Sequence, residues 1–117
     1  MTVTNRVVPI LTVHDIGAER DHYTRVLGLT EVMNHDWIVT LADATGRQQI
    51  SLMTKDQTAP VNPHASIEVD DVDAAYETAL AQGLEIVHEL RDEHWGVRRF
   101  FFRDSSSNVI NVLSHHE

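Results

Sequence analysis

Polar and apolar residues alternate along His64-Ala65-Ser66-Ile67-Glu68-Val69, as they do in a strand with one face on a core. Ala65, Ile67 and Val69 are expected to pack on a helix, leaving His64, Ser66 and Glu68 on the opposite face. A second short strand, Val8-Pro9-Ile10-Leu11-Thr12-Val13, can be laid over the first, and the likeness continues along the chain. Both strands run into an aspartate placed to cap a helix, Asp15 and Asp71, each with an acid in the following turn. After Asp71, the residues Val72, Ala75, Tyr76, Ala79 and Leu80 recur at the spacing of a one-sided apolar stripe. After Asp15 the stripe is thinner, with Ile16, Tyr23, Val26 and Leu27 on the buried side and Arg20 and Arg25 in solvent.

Gly28 and Gly83 stand where a helix end calls for positive φ, and residues 29–32 and 84–87 follow as matching strands. Two more strands are expected in each copy, 37–42 and 49–53 in the first, 97–103 and 109–113 in the second. Asp43-Ala44-Thr45-Gly46 and Asp104-Ser105-Ser106-Ser107-Asn108 supply the turns between them. The fold class is therefore α+β: two βαβββ modules forming a cupped mixed sheet. Module one is placed at 5–55, a linker with Pro60 and Pro63 at 54–63, and module two at 62–115, all in one domain spanning 1–117.

Composition narrows the function classes. The chain has 117 residues, with 42% hydrophobic and 23% charged, the make-up of a globular domain. Eighteen acids against nine bases leave a formal charge of -9, which argues against phosphate neutralisation on nucleic acids and suits a cationic small molecule. No cysteine is present, so disulfides, thiolate metal sites and cysteine nucleophiles are excluded. No run approaches the roughly 20 apolar residues that a membrane crossing needs, and a cytoplasmic, bacterial-type protein is expected.

Two segments carry a family resemblance: Val8-Pro9-Ile10-Leu11-Thr12-Val13-His14-Asp15, and Glu93-His94-Trp95-Gly96-Val97-Arg98 leading to Phe102-Arg103-Asp104 and Asn108. The chain resembles the vicinal oxygen chelate superfamily (glyoxalase/bleomycin resistance/dioxygenase), and within it most nearly the bleomycin resistance protein branch. It departs from that branch at His94, at Val97-Arg98-Arg99, and at Ser105-Ser106-Ser107 where Pro-x-Gly is usual. The resemblance implies a homodimer whose cups are completed by both chains, antibiotic or other small-molecule binding, and an exchanged N-terminal strand carrying Pro9.

Metal-dependent members of the superfamily hold a divalent ion with His and Glu on the first and last strands of each unit. The resemblance carries those positions onto Val8, Ser51, His64 and Asn111. Only His64 is a good ligand, whereas an open catalytic site takes about three N or O donors, so no metal and no other cofactor is expected. His64 could instead hydrogen-bond Asn111 or Ser66 and order the sheet, or act as a general base. Glu68, two pleats on, could join it as a His/Glu pair. Among the other histidines, His22 and His14 are expected near solvent, His35 and His88 near the cup rim, and the His115-His116-Glu117 tail inert.

Without a metal, the cup is a concave apolar pocket with a few polar groups. Trp95, beside Gly96, offers a face for stacking on a flat heteroaromatic or a cation. Trp37 opens the third strand of module one and could oppose it, or pack in the core. Phe101 is expected inward, opposite Phe100 and Phe102. Of Arg98 and Arg99, one is expected to pair with Glu93 or Asp92 and the other to anchor a ligand anion, with Arg98 the candidate anchor. The expected ligand set is thus Trp95, His64, Glu68, Trp37, Phe101, Ser51, Asn111 and Arg98. The leading expectation is a metal-independent protein that sequesters an aromatic or cationic compound at a dimer interface. The alternatives are a metal-dependent lyase, isomerase, dioxygenase or thiol transferase, and a metal-free enzyme using His64 as base.

Overall fold

The computed structural model describes residues 2–115 and has an α+β fold of eight strands and two helices. Two compact units divide it: Val8–Asn62, and the described residues on either side of that segment. Residues 2–7 therefore group with the second module rather than the first.

The unit Val8–Asn62 holds most of β1 (Thr4–Thr12), then α1 (Ile16–Leu27), β2 (Thr30–Asn34), β3 (Ile38–Ala42) and β4 (Gln49–Met53). Its strands lie in the order β2-β3-β4-β1, with β1 and β4 parallel and the other pairs antiparallel. Asp15 caps α1 by accepting the Ala18 N–H at 3.0 Å, and Gly28 closes it at φ 71°. Ile16 and Tyr23 pack against Val39, Leu41 and Leu52, as the helical spacing requires. The last turn does not: Val26 and Leu27 are 78% and 61% exposed. Leu29, delivered by the left-handed turn at Gly28, packs on that cluster instead. On the other face of these strands, Val8, Ile10, Ile38 and Met53 form a second apolar cluster with Met33 and Trp37 beside it. The segment 54–63 is a tied loop: the Asp56 N–H donates to Asn62 Oδ1 at 2.7 Å, and the Asn62 amide donates to Thr12 Oγ1 and the Thr54 carbonyl.

The other unit contains β5 (Ala65–Val69), α2 (Val72–Ala81), β6 (Glu85–Asp92), β7 (Val97–Arg103) and β8 (Val109–His115), in the strand order β5-β8-β7-β6. β5 and β8 run parallel; the remaining pairs are antiparallel, with irregularities in β6 on either side of His88. Residues before Val8 join here through the Val3 N–H to Asp70 Oδ1 (2.9 Å) and an Arg6–Glu68 ion pair at 3.1 Å. Asp71 caps α2 through the Ala74 N–H at 3.0 Å, the counterpart of Asp15. Val72, Ala75, Tyr76 and Ala79 pack on Phe100 and Val112, with the Tyr76 and Phe100 rings edge to face at 5.0 Å. Leu80 is the exception in the stripe, half exposed at 48%. Burying a side chain as completely as Phe100, 1% exposed, is worth about 1.5–3 kcal/mol, so this helix–strand contact anchors the unit.

Candidate functional site

Antiparallel register places Phe101 opposite Asn111 and Arg99 opposite Leu113, while parallel register sets Ser66 beside Asn111 and Glu68 beside Leu113. Side chains directly opposed across strands share a face. Ser66, Glu68, Arg99, Phe101 and Asn111 therefore form one surface, and Arg98, Phe100 and Phe102 the α2-bearing surface behind it. Phe101 is 0% exposed, lies 5.0 Å from the His88 ring and faces away from Phe100 and Phe102.

A charged network unreadable at the level of motifs organises this face. Glu93 is buried at the turn from β6 to β7, where its N–H donates to the Val97 carbonyl at 2.7 Å. Its carboxylate accepts from Arg99 Nε and Nη2, both at 2.8 Å, from Arg91 Nε, and from His88 Nε2 at 3.3 Å. The Arg99 guanidinium, 1% exposed, also lies over the Trp95 ring at 4.9 Å and over the Phe101 ring at 4.7 Å. Burial, and next the nearby Arg99 charge, hold the His88 imidazole below its ordinary pKa, against the pull of Glu93. The signal for this network was parity: neighbouring arginines on a strand point to opposite faces, so an inward Phe101 also turns Arg99 inward.

Arg98 accordingly points to α2. It donates to Asp73 at 2.8 Å and 3.2 Å and to Asp92 at 3.3 Å, and it is not gathered with Phe101, Asn111 or Trp95. One arginine is expected from sequence to pair with Glu93 or Asp92 and the other, Arg98, to anchor a ligand anion; instead both are engaged, Arg98 with Asp73 and Asp92 and Arg99 with Glu93.

His64 sits just before β5 and is exposed. Its backbone N–H donates to the Val109 carbonyl at 2.8 Å, and the Val109 N–H donates to its Nδ1 at 2.9 Å. An amide N–H can only donate, so Nδ1 is unprotonated and the neutral ring carries its hydrogen on Nε2. The lone pair that a base or a metal ligand would offer is already used in joining β5 to β8. Asn111, not His64, reaches Ser66, donating from Nδ2 to Oγ at 2.9 Å. Glu68 pairs with Arg6 and His115, each at 3.1 Å, rather than with His64. Among the described residues, Asn111 Oδ1 is a buried polar atom with no partner, on a side chain 5% exposed. His116 and Glu117, the end of the tail, lie outside the described residues.

Ser51 and Trp37 belong to the unit Val8–Asn62. Ser51 is 3% exposed and shares a 2.8 Å hydrogen bond with Thr40; Trp37, half-buried, adjoins the cluster of Val8, Ile10, Ile38 and Met53. The four residues at the superfamily's metal positions do not fit a divalent ion. Val8 has no donor and packs in the apolar cluster, Ser51 is bound to Thr40, His64 Nδ1 accepts from Val109, and Asn111 is a neutral amide. Among the described residues, no three His, Cys, Asp or Glu side chains gather as a metal site. No described helix is long and apolar enough to cross a membrane.

The family model described as Glyoxalase/Bleomycin resistance protein/Dioxygenase superfamily matches residues 4–112. The chain belongs to that superfamily. Solved structures repeat its fold. A glyoxalase/bleomycin resistance protein/dioxygenase superfamily member from Vibrio splendidus is 18% identical, with a TM-score of 0.71 over 96% of this chain and 99% of that one. Methylmalonyl-CoA epimerase from Mycobacterium tuberculosis is 21% identical, with a TM-score of 0.69 over 97% and 88%. A structure described as NAD-dependent benzaldehyde dehydrogenase from Legionella pneumophila reaches a TM-score of 0.75 at 12% identity, over 93% and 98%. At such identities the likeness is one of fold. No curated protein matches the sequence.

Proposed function

We propose that this superfamily member is a metal-independent small-molecule-binding protein that sequesters an aromatic or cationic compound without changing it, after the manner of bleomycin resistance proteins. The observation that carries the reading is the donor set: a valine, two neutral polar groups and a histidine whose Nδ1 lone pair is already engaged stand where metal enzymes of the superfamily have ligands. Binding remains open to these residues. Trp95, half-buried at the entrance to β7, supplies an aromatic surface, and Asn111 Oδ1 supplies a buried acceptor for a ligand N–H or O–H. The protein works in this reading as a cytoplasmic homodimer, which would cover exposed apolar residues such as Val26, Leu27 and Val32.

The test is elemental analysis of tag-free protein, with thermal-shift measurements against divalent ions and a panel of bleomycin-type glycopeptides and aromatic cations. The expected result is under one-tenth equivalent of metal, no ion-induced stabilisation, and a ligand-induced shift that Trp95→Ala removes. Stoichiometric metal, or turnover of a vicinal-oxygen substrate that a chelator abolishes, overturns the reading.

A further inference from the structure

Trp95 is half-buried, and a cation already lies against its ring: the Arg99 guanidinium is 4.9 Å from the centroid. That contact uses the attraction a ring offers to positive charge and draws the π electrons towards Arg99. The indole surface left exposed is therefore a poor seat for a second cation and a good one for an electron-rich ring. Space is open beside it, since a Cβ added at Gly96 would meet nothing within 4 Å.

Arg91 stands directly opposite Arg99 across β6 and β7, on the same face, and both bind the buried Glu93 carboxylate. Unlike Arg99, Arg91 is 56% exposed. Its Nε–H is spent on Glu93, and its Nη1 and Nη2 have no protein partner among the described residues. The hydrogen bond to a buried carboxylate orients the guanidinium. Its outer fork stays free to take a carboxylate through two parallel hydrogen bonds. Asp92, the next acid along β6, is opposite Arg98 and bound to it, on the other face. Trp95 lies over Arg99, and Arg91 binds the carboxylate that holds Arg99, so indole and fork border one ion pair. The formal charge of -9 opposes an anion only at long range, screened beyond about 8 Å at physiological salt, whereas a carboxylate on Arg91 makes direct contact.

Within the metal-free binding reading above, on which this rests, we propose that the compound bound on this face is an aromatic carboxylate. Its ring stacks on Trp95 and its carboxylate takes the Nη edge of Arg91, which makes Arg91 the residue that sets charge preference.

The experiment titrates 3-(2-naphthyl)propanoate into the full-length isotope-labelled protein and follows backbone amide shifts. The corresponding propanamide and propylammonium compounds, with the same ring and chain, are the neutral and cationic comparisons. The expected result is saturable one-to-one binding of the anion, with shifts at Arg91, Trp95 and Gly96 and about tenfold preference over the cation. Arg91→Met is expected to weaken the carboxylate about tenfold while leaving the amide within about twofold, so that the charge preference disappears. Arg91→Lys, which keeps the charge without the fork, is expected to fall between. Trp95→Ala is expected to weaken all three probes. Equal or tighter binding of the cation, undiminished carboxylate binding by Arg91→Met, or no saturation by any probe at millimolar concentration overturns the proposal. Tighter binding of the cation that Trp95→Ala removes leaves the metal-free binding reading standing, whereas stoichiometric metal in the purified protein overturns both.

Discussion

Glu93→Gln is expected to be among the most damaging single substitutions in this protein. The Glu93 carboxylate is fully buried and neutralises an Arg99 guanidinium that is itself 1% exposed. Replacing the carboxylate by a neutral amide leaves the Arg99 charge in a low-dielectric setting against the Trp95 and Phe101 rings. Breaking a buried pair from one side costs about 3–5 kcal/mol, because the remaining charge has lost its solvent and its partner. For a domain of this size that is a fall in Tm of roughly 10–20 °C. Arg91, bound to the same carboxylate but 56% exposed, keeps its water, so Arg91→Met is expected to cost no more than about 1 kcal/mol. Urea and thermal unfolding of the two variants test the contrast, and Glu93→Leu with Arg99→Met supplies the decisive arm. Removing both charges together is expected to recover most of the loss, because no ion is then stranded. A Glu93→Gln loss below 1 kcal/mol, or a double variant as unstable as the sum of its parts, refutes the reasoning.

Ser107 holds φ 69° in the turn after Asp104, a conformation glycine adopts freely, so Ser107→Gly is expected to raise stability by about 0.5–1 kcal/mol in urea unfolding. Because the His88 pKa is depressed in the folded state, the unfolded chain takes up that proton first as pH falls; stability is therefore expected to decline below about pH 6.5, in a step that His88→Phe flattens in pH-dependent melting. A gain on acidification would mean that Glu93, not burial, governs the ring. The paired substitution Val26→Lys and Leu27→Lys is expected to leave monomer stability within about 0.5 kcal/mol, since both side chains are already exposed, and light scattering on the same variant tests whether they bury in a dimer.

The repeated strand–helix units, both aspartate caps and the alternation of Phe101 against Phe100 and Phe102 are legible in the sequence, because caps, periodicity and turns are set by residues a few positions apart. Element ends moved where pairing extended them: residues expected as the strand 84–87 continue to Asp92, since β7 supplies partners that far along. Arg98 and Arg99 are the same residue type side by side, with Arg98 the ligand anchor expected from sequence. Only the register of β7 sends one to Asp73 on α2 and the other to Glu93 and Trp95. His64 carries the same lesson. Its residue type permits a ligand, a base or a sheet contact, and the choice follows from the Val109 N–H, 45 residues away in the chain, lying 2.9 Å from Nδ1. Likewise Val26 and Leu27 match the apolar period of α1, yet the turn at Gly28 gives their place on the core to Leu29. Local preference and pattern thus determined the elements, the family and the poverty of metal donors. Which polar groups are buried, and against what, was decided by tertiary structure, because desolvation and hydrogen-bond partnership depend on residues that only folding brings together.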